Sequence, residues 1–174
     1  RKIDLEKFHF REPEAAVLIP RDYYKHVKIV WPRLFEAFIL AKEAHIELDF
    51  TREGEDLSGH KLIIVPSSLV LRTSSWYAFK SYVEQGGHLY FSYGGSWIGS
   101  PNPLGPFFNE IFGVALQDRI APMPSEEIMF TEDWISLTGL KLTYPKTDGA
   151  SCIELELKTG FAVGYDSRGN AALI

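Results

Sequence analysis

Along the first half of the chain, short apolar runs that stop at proline or glycine alternate with amphipathic stretches of helical period. Ala15-Ala16-Val17-Leu18-Ile19-Pro20 reads as a buried strand ended by its proline. After a loop from Arg21 to Val30, the residues Trp31, Leu34, Phe35, Phe38, Ile39 and Ala41 recur at spacings of three and four. That pattern predicts the inner face of a helix, with Pro32 in its first turn, where a missing N–H costs nothing. Ile46 to Phe50 then alternates as a strand does. The grammar repeats: a turn at Asp56-Leu57-Ser58-Gly59, a strand from Lys61 to Val65 closed by Pro66, and candidate helix N-caps at Thr73-Ser74-Ser75. Trp76, Phe79 and Val83 are expected on the second helix's inner face, Gly86-Gly87 at its end, and His88 to Tyr93 as the next strand. Strands and helices in this order imply a parallel sheet with right-handed crossovers.

Beyond Gly94-Gly95 the texture changes to a proline-rich loop and a short helix around Phe107 to Phe112. Strand-like segments follow near Glu127–Phe130, Leu140–Tyr144, Ile153–Leu157 and Phe161–Tyr165, with Asp166 to Asn170 as a hairpin loop. The expected fold class is therefore α/β, a mostly parallel sheet with added antiparallel strands in the C-terminal third. With 174 residues, 45% of them hydrophobic, one domain can bury its own core. We expect residues 15–174 to form it, and 1–14 to be a linker from a preceding domain. The start at Arg1 without methionine and the stop at Ile174 inside a strand-like run fit a piece of a longer protein.

Charge and apolar length exclude some partners. The 23 acidic residues outnumber 18 basic ones without a basic stripe, which argues against nucleic acid. No apolar run approaches the roughly 20 residues needed to cross a bilayer, so no membrane span is expected. Cys152 is the only cysteine, which rules out an internal disulfide and suits a cytoplasmic location.

Asp56 to Ser68, followed after one helix by Tyr82-Val83-Glu84-Gln85-Gly86-Gly87-His88-Leu89, resembles a stretch of the trimerisation (middle) domain of family 42 β-galactosidases. Gly105-Pro106-Phe107-Phe108-Asn109-Glu110-Ile111-Phe112-Gly113-Val114 and the closing segment from Gly160 to Ile174 match it as well. The resemblance implies a flavodoxin-like three-layer sandwich related to class I glutamine amidotransferases. It also implies a catalytic barrel domain in the same polypeptide and a homo-oligomer, a trimer by family analogy.

A working class I amidotransferase carries a cysteine on the turn after its fourth strand, activated by a histidine later in the chain. Here that turn is Tyr93-Gly94-Gly95, a degenerate nucleophile elbow, and His9, His26, His45, His60 and His88 all precede it. Cys152 is expected to be a packed thiol. Glycoside hydrolysis needs two facing carboxylates, and no spacing singles out a pair. A full barrel takes around 250 residues, more than this chain has. No histidine or cysteine spacing suggests a metal, and Gly94 to Gly99 lacks the Gly-Lys-Ser/Thr ending of a phosphate loop, so no catalytic residue and no cofactor are expected. The carboxyl ends of parallel strands gather loops on one edge, here bringing Tyr23, Tyr24, Ser67, Ser68 and Trp97 together as candidate sugar or interface contacts. The expected role is a non-catalytic accessory and oligomerisation domain of a multidomain glycoside hydrolase. The alternative is a carbohydrate-binding module using the aromatic loop edge.

Overall fold

The computed structural model describes residues 13–67, 70–92, 105–122, 127–130, 141–143 and 151–173, with backbone alone for 105–106, 116–122, 151–154 and 172–173. The chain divides into two compact units, 1–95 and 96–174.

The first unit is the α/β part. Strands β1 (Ala15–Ile19), β2 (Leu48–Arg52), β3 (Leu62–Val65) and β4 (His88–Phe91) form a parallel sheet in the order β2-β1-β3-β4. Helix α1 (Val27–Glu43) links β1 to β2, and α2 (Thr73–Glu84) links β3 to β4. The two crossovers step in opposite directions from the centre of the sheet, so right-handed connections put the helices on opposite faces. The result is three layers, with β1 buried from Ala15 to Leu18 because it is covered on both sides. Alternation assigns the faces. Ala15, Val17 and Leu48 pack with Val30, Leu34 and Ala41 of α1. On the other face Ala16 lies in register with Ile63, Val65 with Phe91, and the Trp76 ring of α2 meets Phe91 at 5.2 Å.

Both helices differ from the sequence expectation at their starts. A 3-10 turn at Tyr23–His26 runs straight into α1, which begins at Val27, so Pro32 lies inside the helix and not in its first turn. Its ring removes the N–H that would bond the Lys28 carbonyl, and the exposed position of both residues leaves that carbonyl to water. Helix α2 has Arg72 as its N-cap residue, with Thr73, Ser74 and Ser75 already within the first turn. Tyr82 is buried on its inner face, with Val83 half-buried beside it.

The ends obey local rules. Gly86 (φ +91°) follows α2, with Gly87 N–H donating to Tyr82 O (3.0 Å) and Gly86 N–H to Val83 O (2.9 Å), a Schellman stop. The Tyr82 ring lies over Gly87 where a Cβ would stand, and its hydroxyl donates to His60 O at 2.9 Å. That packing explains Tyr-Val-x-x-Gly-Gly physically: the helix stop is also the seat of the tyrosine. Helix α1 closes the same way, with Ile46 N–H on Ala41 O (2.8 Å), but His45 holds the left-handed position at φ 57°. His45→Gly is expected to stabilise the protein by up to about 1 kcal/mol, read as a raised urea midpoint with unchanged slope.

In the second unit, α3 (Gly105–Phe112) leads into β5 (Val114–Pro122), which pairs antiparallel with β8 (Ser151–Leu157). A four-stranded antiparallel sheet in the order β10-β9-β6-β7 combines β6 (Glu127–Phe130), β7 (Lys141–Thr143), β9 (Gly164–Asp166) and β10 (Ala171–Leu173). The antiparallel strands thus pair in sheets of their own. Nine-residue β5 is absent from the sequence expectation, because a register shift between Leu116 and Ile120 breaks its alternation. The strand expected at Phe161–Tyr165 is shorter and later, at Gly164–Asp166.

The 166–170 hairpin is held by one carboxylate. Asp166 accepts the N–H groups of Arg168 (2.8 Å) and Asn170 (2.9 Å) and the Asn170 side-chain amide (3.2 Å), and Gly169 takes φ +82°. Burial works against the Asp166 charge, but the bonds from Asn170 and Arg168 outweigh it and hold the carboxyl below its usual range. A folded pKa below the unfolded one means the stabilisation is full above the ordinary carboxylate value and is lost as pH falls through the lowered folded value. Asp166→Asn should therefore flatten the acid limb of thermal melts recorded between about pH 6 and 3, at a cost near neutrality of about 1–2 kcal/mol.

Candidate functional site at the carboxyl edge and the outer face of α1

The carboxyl ends of β1, β2 and β3 meet around Glu53, which follows β2 and is buried. Its Oε2 accepts the Arg21 N–H (2.7 Å), its Oε1 accepts the Arg72 N–H (2.7 Å), and the Ser75 hydroxyl also donates to Oε1. The Glu53 N–H in turn donates to Ile19 O at 2.9 Å. One side chain thus ties together the loops after β1 and β3. It also accepts an N–H at the N-terminus of α2, where the hydroxyls of Thr73, Ser74 and Ser75 were expected to cap. Above it the Arg72 guanidinium donates twice to Asp22 Oδ2, at 3.0 and 2.9 Å. Hydrogen bonding from Arg72 holds the Asp22 carboxyl below its usual range, and the same contact raises Arg72.

Of the expected edge residues, Tyr23 and Tyr24 do meet, their rings 6.4 Å apart and edge to face. Tyr24 is 62% exposed and Tyr23 lies half-buried, 6.2 Å from the Trp31 ring. Ser67 is 1% exposed, beneath the surface at the end of β3. Ser68, Trp97 and the elbow Tyr93-Gly94-Gly95 lie outside the described residues, as does the Cys152 side chain.

Helix α1 holds a second feature. Trp31, Phe35 and Ile39, assigned by spacing to the inner face, are exposed, Trp31 by 52% and Phe35 by 56%. The buried stripe is Val30, Leu34 and Ala41. Apolar residues lie on every side of the helix, between its charged ones, so period alone could not choose which apolar stripe meets the sheet. Val27, Ile29 and Leu40 add to the exposed surface, and Phe38 stacks on Phe50 of β2 at 5.4 Å. Helix α2 presents Ser74, Ala78, Ser81 and Glu84 outward, with Tyr77 as its one large exposed apolar residue. One face of the sandwich is thus mostly polar, and the other exposes large apolar side chains.

The sequence pattern of the β-galactosidase trimerisation domain matches residues 32–127, more than half of the chain. The chain belongs to this family. Solved structures agree with the fold this trimerisation domain adopts. The β-galactosidase from Rahnella sp. R3 superposes with a TM-score of 0.68 at 17% identity, over 92% of this chain and 26% of that one. The β-galactosidase from Bacillus circulans sp. alkalophilus gives 0.67 at 16% identity, over 94% and 26%. An α-L-fucosidase isoenzyme 2 from Paenibacillus thiaminolyticus gives 0.57 at 15% identity, over 92% and 26%. The chain spans about a quarter of the length of these structures. None of the curated proteins matches the sequence. Among the described residues no group of three His, Cys, Asp or Glu is placed to hold a metal, and no helix is long and apolar enough to cross a membrane.

Proposed function

We propose that this trimerisation domain is a non-catalytic accessory domain of a multidomain, cytoplasmic glycoside hydrolase acting on β-galactosides. In this reading, residues 1–14 lead in from the preceding domain. Residues 15–174 pack on a catalytic barrel of the same polypeptide and build a homotrimer. The observation that carries the reading is the exposed apolar surface of α1 in a chain of this family. Glu53 supports it as well: this carboxylate of the carboxyl edge is consumed by three donors of its own loops.

Incubation of the purified chain with nitrophenyl β-galactoside tests the absence of chemistry. The expected result is release no faster than in buffer; turnover that copurifies with the chain overturns the reading. The grouping of exposed Tyr24 with Tyr23 and Trp31 favours a second reading, a carbohydrate-binding edge. Calorimetric titration with galactosides separates the two. The accessory reading expects no saturable heat, whereas binding abolished by Tyr24→Ala would establish the edge as a sugar site.

A further inference from the structure

Strand β2 ends the parallel sheet, and among the described residues no strand lies on its outer side. Alternation decides which of its backbone groups face that way. The Glu53 N–H reaches inward to Ile19 O, so Asp49 and Thr51 also turn their N–H and C=O groups toward β1, while Leu48, Phe50 and Arg52 turn theirs outward. Carboxylates already hold two of those outward N–H groups. Phe50 N–H donates to Asp49 Oδ1 at 2.7 Å, and Arg52 N–H donates to Glu55 Oε2 at 2.8 Å. The turn that follows, with Gly54 at φ +94°, brings the Glu55 N–H back onto the outward Arg52 carbonyl at 3.0 Å.

We infer that Asp49 and Glu55 are guards of this edge, which keep β2 from taking a further strand and above all the β2 of a second copy. The side chains of the strand do not oppose that pairing. Phe50 is 44% exposed and stacks on Phe38, beside the apolar surface of α1. In a two-fold antiparallel contact centred on Phe50, the residue faces Phe50 of the second copy, Leu48 faces its Arg52, and Asp49 faces its Thr51. Such a register sets an aromatic pair at its centre and no like charges opposite each other. The opposition comes from the two carboxylates. An incoming strand offers carbonyl oxygens to the outward N–H groups, and here it meets carboxylate oxygens in their place. Acceptor then faces acceptor, and two charge-assisted bonds must break before the ladder can form. The guards close the sheet edge while leaving the outer face of α1 beside it open to partners.

The test removes both guards, Asp49→Ala with Glu55→Ala, with circular dichroism to confirm the fold. At equal concentration the unguarded chain should sediment at about twice the wild-type mass or more. Its Phe50 amide should exchange roughly tenfold more slowly at the highest concentration than at the lowest, because that N–H then bonds a strand of another copy. Wild type, whatever its own mass, should show no such dependence at Phe50. Removing the same charge elsewhere, by Glu84→Ala with Glu110→Ala, should leave both readings as in wild type. Glu55 also accepts the Thr51 hydroxyl at 3.3 Å, so Asp49→Ala alone serves if the double variant does not fold, and should give both changes in weaker form. A folded unguarded chain, double or single, with the wild-type mass and with Phe50 exchange independent of concentration overturns the inference. So does a charge control that associates as strongly as the unguarded chain.

Discussion

Gly113→Ala should lower the unfolding free energy by about 3 kcal/mol or more. Gly113 follows α3 at φ +67°, where a side chain is strained whatever the space around it. Here there is no space either. A Cβ would stand 2.7 Å from Thr159 Oγ1 and 2.8 Å from Gly160 Cα, and closer still to the Gly160 amide nitrogen. The chain approaches so closely because the Gly113 carbonyl accepts three successive N–H groups, from Lys158 (2.8 Å), Thr159 (3.0 Å) and Gly160 (3.0 Å). Backing the strands apart to admit the methyl breaks those bonds at the start of the β5–β8 ladder. Gly169→Ala is the internal control: it has φ +82° and open space, so only the backbone term of about 1–2 kcal/mol applies. Urea unfolding of the two variants reads the difference; equal losses would show that the contact with Gly160 carries no weight.

Glu53→Ala should cost about 3–5 kcal/mol, because it leaves the Arg21 and Arg72 N–H groups and the Ser75 hydroxyl without their acceptor in a buried place. Glu53→Gln keeps one oxygen and the shape of the side chain. That oxygen can serve Arg72 and Ser75, but an amide NH2 then faces the Arg21 N–H, so the expected loss is roughly 1–3 kcal/mol. The Gln variant should also lose part of the favourable charge at the α2 N-terminus. Amide exchange at Arg21 and Arg72 localises the effect, with both protected in wild type and both fast in the alanine variant. Protection unchanged in Glu53→Ala would mean that the loops hold without the carboxylate.

These two residues show where the sequence was readable and where it was not. Strands β1, β3 and β4, both helices and the Gly86 stop follow from period, proline and glycine, since each depends on neighbours within a few positions. The Asp166 hairpin was legible for the same reason. Glu53 was not: Thr51-Arg52-Glu53-Gly54-Glu55 holds two glutamates, and only the packing of three distant loops makes one a hub. Glu55 by contrast turns back on its own strand, accepting the Arg52 N–H at 2.8 Å. Gly113 was visible as the end of a helix, but its three donors lie more than forty residues away in the chain. The error on α1 has a different cause. Six apolar residues were read as one face because their spacing allowed it, whereas the sheet accepts a narrower stripe and the surplus, Trp31, Phe35 and Ile39, remains on the surface. That surplus is the most informative departure, because apolar side chains left out of one core are available to another.

The account stands on the claim that this surplus is covered by further copies of the same chain. Sedimentation equilibrium of the purified 174-residue chain, across a hundredfold range of concentration, measures it without any assumption about substrate. Three times the chain mass, falling toward the single mass when Trp31 and Phe35 are both replaced by glutamate, is the predicted result. A single mass throughout, unaltered by those replacements, would contradict it.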